Sequence, residues 1–215
     1  MPLGRFPGGE LVRARALGEL VRRLQETPAF PELGDWRAIV GRLLNLLESR
    51  AVSGLLDPHL AAYERLCEAV PWDSAAHVSS HNDPNARNVL FDGERLWLID
   101  WETAYRNDPM IDVAILADNL AASPELTGEL MQAWLGRPAQ AEEVQRLAVV
   151  RRLTRLYYAG LLIGFGAPPD SRITDLSAPS KAEIEARLAR GEMSEVTPEN
   201  LLIAGKMSLA AFLEE

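Results

Sequence analysis

With 215 residues, 47% of them apolar, the chain is long enough to bury one domain's core and ordinary in composition for a globular protein. Its 31 acidic residues outnumber 22 basic ones, and the net charge of −9 argues against nucleic acid as a partner, because phosphate backbones are met by basic patches. A single cysteine, Cys67, excludes an internal disulfide framework and suits a reducing, cytoplasmic setting. No leader pattern opens the chain, and the longest apolar run, residues 157–169, is too short and too broken by Gly and Pro to span a bilayer, so no membrane partner is expected.

Residues 1–9, rich in Gly and Pro, read as a linker or chain entry, followed by a largely helical body over 10–215. Leu17, Leu20, Val21 and Leu24 mark one face of a helix over Glu10–Gln25, and the prolines of Thr27–Gly34 break it. Asp35 is placed to cap a second helix with Trp36, Ile39, Val40, Leu43, Leu44 and Leu47 on its apolar face. Asp57-Pro58 opens a third, reaching about Val70 and carrying Cys67 in its apolar pattern. Helical patterns return at Met110–Leu120, from Ser123-Pro124 to Leu135, and over Glu142–Ile163 with a stripe at Val144, Leu147, Val150, Leu153, Tyr157 and Leu161. Ala167–Ala178 is a loop, Ser180 with Glu183 forms a capping box, and Thr197-Pro198 starts the last helix. The expected fold class is α+β, mainly helical, with one small β-hairpin.

That hairpin lies in Ser80–Asp112. Asp92-Gly93 supplies the turn, since Asp-Gly tolerates positive φ, and Val89–Phe91 and Arg95–Ile99 supply the strands. The pairing brings Asn88 and Asp100 together at the strands' outer ends, with Asp83 on the loop feeding the first strand. Two carboxylates and an amide at one mouth are oxygen ligands suited to Mg²⁺, with a carboxylate to spare as a base. Between His81 and Asn119 stand eight Asp/Glu and three Arg, either a solvated acidic face or a metal site that also attracts cations.

His81-Asn82-Asp83-Pro84-Asn85-Ala86-Arg87-Asn88 matches H-x-D-x-x-x-x-N, the pattern of a kinase catalytic loop, and Leu98-Ile99-Asp100-Trp101-Glu102 follows at a spacing that suits a second metal-binding Asp. With Asn107-Asp108-Pro109 and Asp112-x-Ala114, residues 77–120 resemble the aminoglycoside phosphotransferase and choline/ethanolamine kinase superfamily, most of all its choline-kinase-like bacterial members. The resemblance implies the C-terminal lobe of a protein-kinase-like fold and transfer of a phosphoryl group from ATP to a hydroxyl of a small, cationic molecule. It implies Asp83 as the catalytic carboxylate, Asn88 and Asp100 as Mg²⁺ ligands, His81 as a structural member of the loop and Asp112 as its brace. Glu102 falls where such enzymes keep an acid near metal and substrate. Trp101, Tyr105, Trp134, Tyr157 and Tyr158 could stack a cationic head group or serve as core, and His59 and His77 have no partner at metal-ligand spacing.

The same resemblance implies an N-terminal β-lobe carrying a phosphate-covering loop and a strand lysine, which these residues lack. The two lysines, Lys181 and Lys206, follow the motif, and Pro2-Leu3-Gly4-Arg5 is similar to the segment that leaves such a lobe. The expectation is that this chain alone transfers phosphate weakly, with the missing lobe supplied by a longer protein or a partner chain. Two other readings stand beside it: a non-catalytic kinase-like lobe kept as a binding or regulatory module, and a metal-dependent phosphohydrolase, for which the oxygen ligands are few.

Overall fold

In a computed structural model of the chain, which describes all residues except 1–2, 4–5, 71, 193–195 and 215 and the side chains of residues 181 and 185, the sequence folds into eight α-helices, short 3-10 turns and four short strands among the described residues. Contacts divide it into two compact units, residues 1–34 with 71–151, and residues 35–70 with 152–215. The expected Pro2–Arg5 segment lies, apart from Leu3, outside the described residues.

The first unit is built on α1 (Gly9–Gln25) and α5 (Pro124–Leu135). Ala14, Leu17, Val21 and Leu24 form the buried stripe of α1, and Gly18 sits between them where the helices touch. A Cβ on Gly18 would lie 2.3 Å from the Leu130 carbonyl, so the crossing requires glycine. Ser123 caps α5, its side chain accepting from Leu126 N, as its place before Pro124 foretold. Helix α4 (Met110–Leu120) is buried along its first two turns, Met110 to Ala117, so it runs through the core and offers Asp112 no water.

Four strands of three residues each complete this unit. β2 (Val89–Phe91) and β3 (Leu96–Leu98) form the predicted hairpin, with Val89 opposite Leu98 and Phe91 opposite Leu96. The turn differs from the reading by one residue. Asp92 N donates to Arg95 O, so the central pair is Gly93-Glu94, and only Gly93 takes positive φ. Asp92 instead accepts through Oδ1 from the backbone of Glu94 and Arg95, and its Oδ2 accepts from Trp97 Nε1 at 2.6 Å. Those three bonds hold its carboxyl down, at about 2, with the Trp97 bond the largest cause. The second ladder was not foreseen: β1 (Val78–Ser80) pairs antiparallel with β4 (Tyr105–Asn107), Ser80 opposite Tyr105.

The second unit holds α2 (Trp36–Arg50), α3 (Asp57–Ala69), the later part of α6 (Ala141–Gly166), α7 (Lys181–Ala189) and α8 (Pro198–Leu213). The Asp35 cap, the Ser180–Glu183 capping box and the Thr197 cap form as expected. Asp57, by contrast, is the first residue of α3, with Leu56 before it and no side-chain cap. The buried face of α6 is Leu147, Val150, Leu153, Leu156, Ala159 and Ile163, so the stripe drifts away from Val144, which is exposed, and from Tyr157 and Leu161. Cys67, expected in the core, is half-buried. His59 is buried on α3, stacked 6.1 Å from the Phe212 ring, and burial lowers its pKa.

Among the described residues no helix is long and apolar enough to cross a membrane.

Candidate active site

The loop between β1 and β2 begins with two buried backbone N–H groups that no ladder satisfies. Asp112, projecting from the first turn of α4, takes both: its Oδ2 accepts from His81 N at 2.9 Å and its Oδ1 from Asn82 N at 2.8 Å. It is 0% exposed, and burial pushes its carboxyl up to about 6, against the opposing pull of those two donors. The sequence-derived role of Asp112 as a brace is therefore the one its geometry can perform.

His81 is fully buried, and its Nε2 donates to Ile99 O at 2.8 Å, tying the loop to the end of β3. The Thr103 hydroxyl donates to His81 O at 3.0 Å. Asn82, to which sequence reading gave no role, fixes the backbone's change of direction. It sits at φ 64°, and its Nδ2 donates to Thr103 O at 2.9 Å and Tyr105 O at 3.2 Å, while its Oδ1 accepts from Asn107 Nδ2 at 2.7 Å. Asn107 Oδ1 in turn accepts from Asp108 N, and Asp108 Oδ1 from Met110 N, so the same run opens α4. Arg146, from the early part of α6, closes it by a two-pronged ion pair with the buried Asp108 carboxylate, one prong at 3.0 Å. The Asn107-Asp108-Pro109 phrase was visible in the sequence, but nothing local signals that its side chains reach residue 82 or residue 146.

Beyond Asn82 the loop presents its chemistry. Asp83 is half-buried, its Oδ1 accepting from Asn85 Nδ2 at 2.8 Å and its Oδ2 from Asn88 Nδ2 at 3.1 Å. Asn88 Nδ2 also donates to Asp83 O at 2.9 Å, which commits the nitrogen end of that amide inward. Its Oδ1 has no hydrogen-bond partner among the described residues. Ile99 N donates to Asn88 O at 3.0 Å, so Ile99 stands opposite Asn88 at the hairpin's end and Asp100 follows one residue beyond.

Asp100 is exposed, at φ 63°, and has no hydrogen-bond or ion-pair partner among the described residues. Asn82 and Asp100 are the non-glycine residues with positive φ among those described, and both flank this mouth; such backbone, disfavoured for L-residues, collects at working sites. A 3-10 turn, Trp101–Thr103, follows Asp100. It exposes Glu102, likewise without a partner among the described residues, and leaves Trp101 45% exposed, its Nε1 donating to Leu98 O. Tyr105 is buried on β4 with its hydroxyl 3.5 Å from Asn107 Nδ2, which removes it from any surface a ligand could touch. Trp134 donates to Gln25 Oε1, and Tyr157 packs 5.7 Å from Trp36, both serving structure.

Asp83 and Asn88 are thus hydrogen-bonded to each other, and Asp100 lies one residue past the Ile99 that pairs with Asn88. Among the described residues no group of three or more His, Cys, Asp or Glu is placed to hold a metal ion. The oxygen set here is mixed: the Asn88 amide oxygen and the Asp100 carboxylate, neither with a hydrogen-bond partner among the described residues. Those hard oxygen donors fit Mg²⁺, which keeps several waters and takes one or two protein ligands.

A helical body presenting such a loop and hairpin has the protein-kinase-like fold. The choline/ethanolamine kinase family protein from Mesorhizobium loti matches it with a TM-score of 0.62 and 26% identity, over 91% of this chain and 67% of that one. Choline kinase LicA from Streptococcus pneumoniae matches with a TM-score of 0.61 and 15% identity, over 94% of this chain and 63% of that one. Residues 5–146 match the model of the phosphotransferase enzyme family, and the chain belongs to that family. An uncharacterized protein of Metamycoplasma hominis is 30% identical over 117 residues, 52% of this chain and 22% of that protein. The chain spans less than a third of the length of the curated relatives it matches.

Proposed function

We propose that the chain carries the catalytic lobe of an ATP-dependent phosphotransferase that phosphorylates a hydroxyl on a small, cationic molecule of the choline, ethanolamine or aminoglycoside kind. The observation that carries this reading is the Asn88 amide: its nitrogen grips Asp83, while its oxygen has no hydrogen-bond partner among the described residues and Asp100 follows the Ile99 paired with Asn88. Asp83, held by Asn85 and Asn88, orients the acceptor hydroxyl and takes its proton as the phosphoryl group leaves. Asn88 and Asp100 are the residues that would hold Mg²⁺, which when bound neutralises charge on the transferred phosphate. Asp112 and His81 keep the loop in shape, and Glu102 adds negative charge that favours a cationic acceptor. The Mesorhizobium loti protein of the choline/ethanolamine kinase family supports the acceptor class.

The second lobe is part of this proposal. Both lysines of the sequence, Lys181 and Lys206, follow the motif, and Lys206 pairs with Asp175 at 3.1 Å. Residues beyond these 215, or a partner chain, supply the lysine contact to a nucleotide's phosphates, and the chain alone transfers phosphate weakly. The alternative, a non-catalytic lobe used for binding or regulation, rests on the same placement of both lysines after the motif.

The test is transfer of the γ-phosphate from ATP with Mg²⁺ across a panel of amino alcohols and aminoglycosides, using the chain joined to its nucleotide-covering lobe. Asp83→Asn should cut turnover by about 10²–10⁴-fold with the fold intact. Near-wild-type turnover in that variant refutes the assignment of Asp83, and no transfer to any acceptor favours the non-catalytic alternative.

A further inference from the structure

The mouth also has an apolar side, and it is built by residues far earlier in the chain. Residues 27–33 have no regular structure, but they are fastened to the β1–β4 ladder. The buried Ser79 hydroxyl donates to Pro28 O at 2.9 Å and accepts from Phe30 N at 3.0 Å. Arg106 N donates to Pro31 O at 3.1 Å, and the Arg106 guanidinium pairs with Glu32 at 2.9 Å. Pro28 and Pro31 restrict the backbone between these ties.

What the segment delivers is Phe30, whose ring meets Trp101 edge-on, centroids 6.2 Å apart at 76°. The indole is held elsewhere by its bond to Leu98 O and by the His81 ring at 4.8 Å. It is still 45% exposed, between Asp100 and Glu102 in sequence. An aromatic face fixed in advance binds a cation better than a mobile one, because no ordering is left to do.

We infer that residues 27–33 form an acceptor-specificity element, with Phe30 as the positioning residue that sets the exposed part of the Trp101 ring against the alkylammonium part of the acceptor. The inference rests on the acceptor class proposed above. It gives residues 27–33 a function that the motif around Asp83 does not contain.

The test uses the full chain labelled with 5-fluorotryptophan, the Trp101 ¹⁹F resonance being assigned by its loss in Trp101→Phe, and choline chloride as the probe. In the wild-type chain choline should shift that resonance. Phe30→Leu, which keeps an apolar side chain but removes the ring edge, should displace or broaden it without ligand and weaken choline binding roughly three- to tenfold. Phe30→Tyr should restore both, and adding Phe30→Leu to Trp101→Ala should weaken binding no further.

The inference is overturned if choline leaves the Trp101 resonance in place, if Phe30→Leu leaves choline affinity unchanged, or if the two losses add. A chain that binds choline at Trp101 yet transfers no phosphate to any acceptor upholds this inference and sinks the kinase reading. Transfer to choline with a motionless Trp101 resonance does the reverse.

Discussion

Replacing Asp112 with alanine tests the brace beneath the loop between β1 and β2. The substitution leaves His81 N and Asn82 N, both in a fully buried segment, without an acceptor. Each buried donor left unpaired costs about 1–3 kcal/mol, so the pair is worth about 2–6 kcal/mol, a large share of a domain's usual stability. The size should depend on pH in an unusual direction. The folded-state pKa of Asp112 is raised above its ordinary 3.8 to about 6, chiefly by burial. Its contribution to stability is therefore full below about pH 4 and is lost as pH rises through about 6. The rise corresponds to about 3 kcal/mol. Urea unfolding followed by far-UV circular dichroism, on both proteins from pH 4.5 to 7.5, should show the gap between wild type and Asp112→Ala widest at the acidic end and narrowing toward neutrality. A gap that stays constant, or widens as pH rises, refutes the argument that burial outweighs the two hydrogen bonds in setting this group's charge.

Arg146→Ala should destabilise the first unit by about 3–5 kcal/mol, because the buried Asp108 carboxylate loses its two-pronged partner. Arg146→Lys should recover only part of this in thermal denaturation, since an ammonium cannot make both prongs; full recovery would show that charge alone matters. Gly18→Ala should cost at least about 1–3 kcal/mol, because its Cβ would sit 2.3 Å from the Leu130 carbonyl and push α1 off α5. An unchanged melting temperature would mean the helices shift freely there. Asp83→Asn should leave that melting temperature within a few degrees of wild type while reducing phosphoryl transfer, and loss of both together would mark Asp83 as a structural residue.

Where bonds are local, the sequence was readable. The Asp35, Ser123, Ser180 and Thr197 caps each reach two or three residues ahead, so composition alone marks them. The hairpin between Asn88 and Asp100 was legible because its two apolar strands flank a short turn. The turn itself slipped by one residue, since pairing of Phe91 with Leu96 and the Asp92 side chain fix it, and neither follows from an Asp-Gly dipeptide. The β1–β4 ladder escaped notice because three-residue strands are too short to show alternation. Asn82, Asn107, Asp108 and Arg146 form one network over 64 positions of chain, held by side-chain bonds that leave no periodic trace. In α6, Leu156 and Ile163 take the buried places that an idealised stripe gave to Tyr157 and Leu161.

The backbone at Asp100 has a consequence for how this protein can change. A glycine there would adopt the same φ of 63° without crowding from a side chain, so the polypeptide would gain conformational ease by giving up its carboxylate. Selection for heat tolerance alone should accept Asp100→Gly readily, while selection for turnover should reject it. The residue's persistence in a population under both pressures would then record which of the two has governed it.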